Sequence, residues 1–560
     1  MKITNRSAAI SAALAAACAA FFAAYAFLPF SAPHRYNSPD ETSNAFFSRY
    51  FSQHGTLWYL EPLNLVMQDG LVHPRSVRVV DNFLVPGGFL GLPMLYGGLA
   101  KILGPSIIPF LTPFFAVLAA TAFAFLSARW LGARGGLIAG AALLLQPAWW
   151  YASSRTMQPN VLFAAFAIFS AAMFFRAPVL AAVERRTADG LRLLRVADGA
   201  IAGILMACAL AVRLSEAYWL ALGALILVGV CRKRVPWGRL AAFAVTAVLA
   251  IVPLLIMNQA VYGSPVATGY GTGFSVPAGE LPQGMGSALL GPLRPFLFPL
   301  GFAPRTALAN FWMYGIAFYW WWSVLVACGV AAYALSRRRA RLAWSPAAKA
   351  FAAASAAVVV WLVLFYGSWR VQDNPDPDAV TIGSSYLRYW LPAFVLSTVP
   401  VAWLAASATE RLAKRTRAAV LASAFILAAA SSASDVFWAP GEGLLAVRAN
   451  LIRYDAIVRE IVAKTPARSL IVVDRADKYV FPDRPVITPL RAETTYAALG
   501  TLKRFASLYY FGITFPDADL AYLNGRKLPP LGLAIEPVET FGAETLYALT
   551  VTDRKSPERQ

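Results

Sequence analysis

Residues 7–42 read SAAISAALAAACAAFFAAYAFLPFSAPHRYNSPDET, an apolar run that gives way to Ser38-Pro39-Asp40-Glu41-Thr42. The run at 7–28 has about the ~20 residues that a helix needs to cross a bilayer. Ser38 as N-cap, Pro39 at the first helical position and Glu41 three residues after the cap make a capping box. A second helix therefore starts at once, outside the apolar run. Asp40 is not needed for that cap.

Working outward, the chain of 560 residues is 58% hydrophobic and 13% aromatic, with a mean hydropathy of +0.56. Such a chain is a polytopic membrane protein, mainly α. Span-length apolar runs fall at 7–28, 108–128, 135–152, 160–178, 199–214, 217–231, 240–258, 311–335, 350–367, 386–407 and 418–436, which predicts about eleven spans. Phe30 and Ala32 fit a cleavage site poorly, so the first run is expected to stay as a span. A further run at 84–103 is broken by Pro86, Gly87, Gly88 and Pro93, and is expected as a helix in or beside an outer loop.

The formal charge of +20 is explained by its placement. Clusters such as Arg185-Arg186, Arg232-Lys233-Arg234, Arg337-Arg338-Arg339 and Lys414-Arg415 fall in alternate short loops. The positive-inside rule puts those loops and the N-terminus in the cytoplasm. Residues 29–107, 153–160, 259–310, 368–384 and everything after about 437 then lie outside. The charge is a topology signal, so nucleic acid is not an expected partner; the lipid bilayer of the cytoplasmic membrane is. Cys18, Cys208, Cys231 and Cys328 lie in or beside apolar runs without CxxC spacing. His34, His54 and His73 lack the spacing of a helical metal pair.

Two domains are expected. Residues 1–437 form the transmembrane part, with large outer loops at 29–107 and 259–310, the latter rich in Gly, Pro and aromatics. Residues 438–560 carry charges of both signs and read as a soluble extracytoplasmic α/β domain. It holds an amphipathic helix at 450–464 and strands at 469–474 and 545–553.

Ionisable groups at membrane boundaries point to function. The outer side collects Asp40 and Glu41 together with Arg75, Arg78, Arg155 in "SSRTMQPN", Arg294, and Arg388 in "SSYLRYWLP". One carboxylate pair facing many guanidinium forks suits a phosphate-bearing ligand, with headgroup anchoring the alternative for each arginine.

These features resemble the GT-C superfamily of membrane glycosyltransferases, which use lipid-phosphate-linked sugars. Protein O-mannosyltransferases and lipid A aminoarabinose transferases are nearest, and "PDET" is similar to the latter. The resemblance covers roughly residues 1–437. It implies Asp40 as catalytic base, with Glu41 beside it, and the arginines as binders of the donor phosphate. It implies a polyprenyl-phosphate sugar donor and an extracytoplasmic acceptor. Where relatives carry Lys-Pro at the start of the loop helix, this chain reads Val85-Pro86, and Gln158 and Asn160 stand where an acid is common. No metal ligands are assigned and no cofactor is required, a divalent metal being the alternative. The competing functional classes are a transporter and a lipid-linked glycan flippase or polymerase.

Overall fold

The computed structural model describes residues 5–67, 70–176, 188–270, 300–340, 344–371, 376 and 379–552. The chain forms two compact units. One comprises Met1–Phe30, Phe110–Ile256 and Gly271–Ala446; the other Ser31–Pro109, Met257–Tyr270 and Val447–Gln560.

The first unit is helical, and the protein is a multi-pass membrane protein. Among the described residues, six helices are long and apolar enough to cross a bilayer, among them Trp237–Tyr262, Pro346–Gly367 and Lys414–Trp438. Two bent pairs raise the number to eight if each is one span: Pro147–Ser154 with Pro159–Phe174, bent by 117°, and Pro304–Ala317 with Trp320–Arg339, bent by 92°. The larger number read from the sequence needs Ala15–Tyr25 and Val196–Val212, both short, to count as spans and Ile108–Leu145 to count as two. That last helix breaks at Gly132, whose φ of 72° is left-handed. Beyond the break the chain folds back: a Cβ on Gly136 would lie 2.5 Å from the carbonyl oxygen of Ala124. Twelve residues of straight helix would separate those positions by about 18 Å.

The second unit holds two sheets. Strands β1 (Tyr59–Leu60), β2 (Val77–Val80) and β3 (Phe83–Pro86) form an antiparallel sheet in the order β1-β3-β2. Asp81 and Asn82, at φ 49° and 70°, supply the two left-handed residues of the tight β2–β3 hairpin. The run at 84–103, expected as a helix broken by Pro86, Gly87, Gly88 and Pro93, therefore begins as a strand. Pro86-Gly87-Gly88 ends it, and the helix Gly91–Leu103 follows and packs against Pro39–His54.

Strands β4 (Ser469–Val473), β5 (Val486–Ile487), β6 (Ser507–Ile513), β7 (Leu533–Phe541) and β8 (Glu544–Val551) make a mixed sheet ordered β5-β4-β6-β8-β7. β4 runs parallel to both neighbours and all five of its residues are buried, as its apolar run Leu470–Val473 requires. The amphipathic run read at 450–464 lies within the helix Leu444–Lys464. Met67 and Val72 join the sheet's core beside Leu470, Val472 and Tyr547. The C-terminal segment thus shares one compact unit with residues 31–109 and 257–270, where the sequence reading set residues 438–560 apart.

Candidate functional site

In the second unit the capping box at the head of Pro39–His54 forms. The Ser38 hydroxyl accepts the Glu41 N–H at 3.2 Å, and the Glu41 carboxylate accepts the Ser38 N–H at 3.0 Å. Glu41 is 1% exposed, so its carboxylate serves the helix start. Asp40 points elsewhere, is half-buried, and accepts a hydrogen bond from the Ser76 hydroxyl at 2.6 Å.

Ser76 is held by an unusual backbone. It is left-handed, at φ 59°, and its carbonyl accepts the Gly87 N–H at 2.9 Å. A Cβ on Gly87 would come within 2.6 Å of the Ser76 carbonyl, so only glycine permits the approach. The Pro86-Gly87-Gly88 break is braced in turn by Tyr262, whose hydroxyl donates to the Pro86 carbonyl at 2.7 Å.

Arg75 is committed to the fold. Its Nη2 lies 2.6 Å from Asp477 Oδ1 and its N–H donates to Oδ2 at 2.8 Å; Asp477 is fully buried. Arg78 is exposed on β2 and donates to the Gly269 carbonyl at 3.0 Å.

The first unit holds the other arginines. Arg155 follows the helix Pro147–Ser154 as its C-cap and is buried at 4% exposure. Its Nη1 donates to the Tyr151 hydroxyl at 2.8 Å, and that hydroxyl donates to the Glu442 carbonyl at 2.8 Å. Asn160, two residues past Gln158, donates to the Arg388 carbonyl at 3.0 Å. The two short motifs "SRTMQPN" and "LRYW" are therefore joined within one unit. Arg388 is half-buried, bonds the Ser385 hydroxyl at 2.7 Å and lies over the Tyr389 ring at 5.3 Å.

A second guanidinium, Arg213, lies 5.1 Å from that ring. It pairs with buried Glu216 at 2.7 Å, and the Tyr366 hydroxyl donates to the same carboxylate at 2.7 Å. Tyr366 stacks on Tyr389 at 4.6 Å. The i,i+3 spacing of Arg213 and Glu216 was visible in sequence; Tyr366 and Ser76, far off in the chain, carried no signal.

No protein-family model and no curated protein matches the sequence. Solved structures do match it. The crystal structure of ArnT from Cupriavidus metallidurans in the apo state superposes with a TM-score of 0.54 at 14% identity, over 97% of this chain and 98% of that one. The same protein bound to undecaprenyl phosphate gives 0.52 at 14% identity, over 96% and 98%. The archaeal oligosaccharyltransferase AglB from Archaeoglobus fulgidus, in complex with an inhibitory peptide and a dolichol-phosphate, gives 0.48 at 10% identity, over 98% and 74%. The fold is that of ArnT.

In this fold the site residues read from the sequence have three kinds of placement. Asp40 stands in the first turn of a capped helix with Glu41 bracing it. Arg155 and Arg388 are linked through Asn160. Arg75 pairs with Asp477, and Arg78 with the Gly269 carbonyl. Arg294 lies outside the described residues. Among those residues no group of three or more His, Cys, Asp or Glu side chains is arranged to hold a metal ion.

Proposed function

We propose that the protein is a glycosyltransferase that moves a sugar from a polyprenyl-phosphate donor to an extracytoplasmic acceptor at the outer face of the cytoplasmic membrane. Residues 1–437 would carry the chemistry, the N-terminus would be cytoplasmic, and residues 438–560 would be extracytoplasmic. The carrying observation is Asp40, a carboxylate left over by its own helix cap and held by the Ser76 hydroxyl. The GT-C fold and the undecaprenyl phosphate bound to ArnT support the donor class.

The acceptor hydroxyl oxygen attacks the anomeric carbon as the bond to the polyprenyl phosphate breaks, through a state with oxocarbenium character. Asp40 takes the hydroxyl proton. The phosphate leaves with the bonding electrons, its charge answered by the arginines that the sequence resemblance assigns to it, Arg155 and Arg388. One displacement inverts the anomeric centre. Glu41 acts as a positioning residue through the cap.

The test is Asp40→Asn, assayed in detergent with a synthetic lipid-phosphate sugar. The amide keeps the size and loses the base, so transfer should fall about 10²–10⁴-fold while the melting midpoint holds. Undiminished transfer would overturn the assignment. A reporter fused after residue 437 checks the orientation, and a cytoplasmic readout overturns it.

A further inference from the structure

A cavity of about 230 Å³ opens on the opposite side of the Pro39–His54 helix from its Asp40 face. The helix lines it with Thr42, Ala45, Phe46, Arg49, Tyr50 and Gln53, the spacing of one helical face. Asp40, two residues from Thr42, is rotated from that face by about 200°. The opposite wall comes from His34, Arg35 and Tyr36 and from Lys478, Phe481 and Pro482, all in the same compact unit.

The cations of this recess are not equivalent. Arg35 is used up: it bonds Asp455 at 2.8 Å, Asp483 at 2.9 Å and the Tyr479 carbonyl at 2.7 Å. Lys478 bonds the Asn37 carbonyl at 2.7 Å. The Arg49 guanidinium has neither a carboxylate nor a hydrogen-bond partner among the described residues. Beside it the Tyr36 hydroxyl is buried without a partner. Burial pushes that phenol's pKa up to about 12, with Arg49 opposing and Glu41 adding, so it is an O–H donor at neutral pH. A half-buried cation and an orphaned donor side by side are costly unless an acceptor arrives.

The remaining walls are rings. Phe46 meets Phe481 edge-on at 4.8 Å and stacks with Tyr50 at 6.1 Å. The cavity is below the roughly 300–1,000 Å³ of pockets for drug-sized ligands, which suits one ring of sugar size.

We propose that this recess binds a single anionic sugar unit, its phosphate or carboxylate on the Arg49 fork and the Tyr36 hydroxyl, its ring against Phe46, Tyr50 and Phe481. A guanidinium matches either anion bidentately. Binding here needs no transfer reaction, so this site and the reaction assigned to Asp40 fail independently.

The test titrates the full-length protein in detergent with glucuronate, glucose 6-phosphate, glucose and inorganic phosphate, read by calorimetry. One of the two anionic sugars should bind at least about tenfold tighter than glucose and than phosphate, since charged hydrogen bonds of this kind carry about that factor. Whichever anion wins identifies the group. Arg49→Gln should lose about tenfold with an unchanged melting midpoint, and Tyr36→Phe, which keeps the ring, should weaken binding several-fold. Glucose or inorganic phosphate binding as tightly as the better of the two anionic sugars overturns the proposal, as does no binding of either anionic sugar. Unchanged affinity in both variants overturns it too.

Discussion

Adjacent residues Arg75 and Ser76 serve two different carboxylates. Arg75 holds Asp477, which is fully buried and receives a guanidinium and a backbone N–H. Ser76 holds Asp40, which is half-buried and receives a neutral hydroxyl. Both acids stand in the first turn of a helix, Asp477–Val480 and Pro39–His54. The difference lies in what each would lose. A buried anion matched by a cation is part of the architecture, because the fold has already answered its charge. Asp40 stays partly exposed beside a hydroxyl donor, which suits the base role proposed for it.

The largest effect expected from this contrast is on the Asp477 side. Arg75→Ala strands a buried carboxylate and should cost about 3 kcal/mol of unfolding free energy, seen as a drop in the chemical-denaturation midpoint of the protein in detergent. Asp477→Asn leaves Arg75 able to turn to water, so it should cost about 1 kcal/mol. Equal costs would mean that the pair is not asymmetric and that Asp477 is not the dependent partner.

On the Asp40 side the effect should be smaller and of another kind. Ser76→Ala removes the hydroxyl that aims the carboxylate while leaving the Gly87 backbone contact in place. Transfer should fall about tenfold in kcat, the worth of one hydrogen bond to a charged group, with the denaturation midpoint nearly unmoved and KM for the lipid donor retained. A fall in stability equal to that of Arg75→Ala would make Ser76 architecture as well.

The legibility of these parts from sequence follows their physical range. The cap at Ser38–Glu41 and the strand 469–474 are set by local pattern, and both are found where the sequence put them. The helices of the first unit announce themselves by length of apolar run. The pairing of Arg75 with Asp477, some 400 residues away, could not be read from sequence, because nothing local marks that partner. The same holds for Ser76 and for Tyr366 beside Glu216. The strand at Phe83–Pro86 was hidden because an apolar run of four residues looks alike in helix and sheet; the Asp81-Asn82 turn that decides it lies just before the run. The joining of the C-terminal segment to residues 31–109 is likewise a tertiary fact, carried by Met67 and Val72 in a core that no run length reveals.

The smallest effect concerns a third way of handling charge, seen at His34. There a cation is kept away: burial and the nearby Arg49 guanidinium both lower the His34 pKa from 6.5. The unfolded chain then takes up its proton at a higher pH than the folded one. Where the unfolded state binds more protons, stability rises with pH. His34 therefore costs nothing well above pH 6.5 and erodes stability as the pH falls from there towards its lowered value. The melting midpoint should drop more steeply for the wild type than for His34→Gln between pH 7.5 and 5.5, and the two should converge at the upper end. Parallel curves would show that Arg49 does not act on His34. Adding the anionic sugar that binds best should flatten the wild-type curve, because an anion on Arg49 removes the repulsion that keeps His34 neutral; a curve that binding leaves unchanged would place that sugar outside the recess.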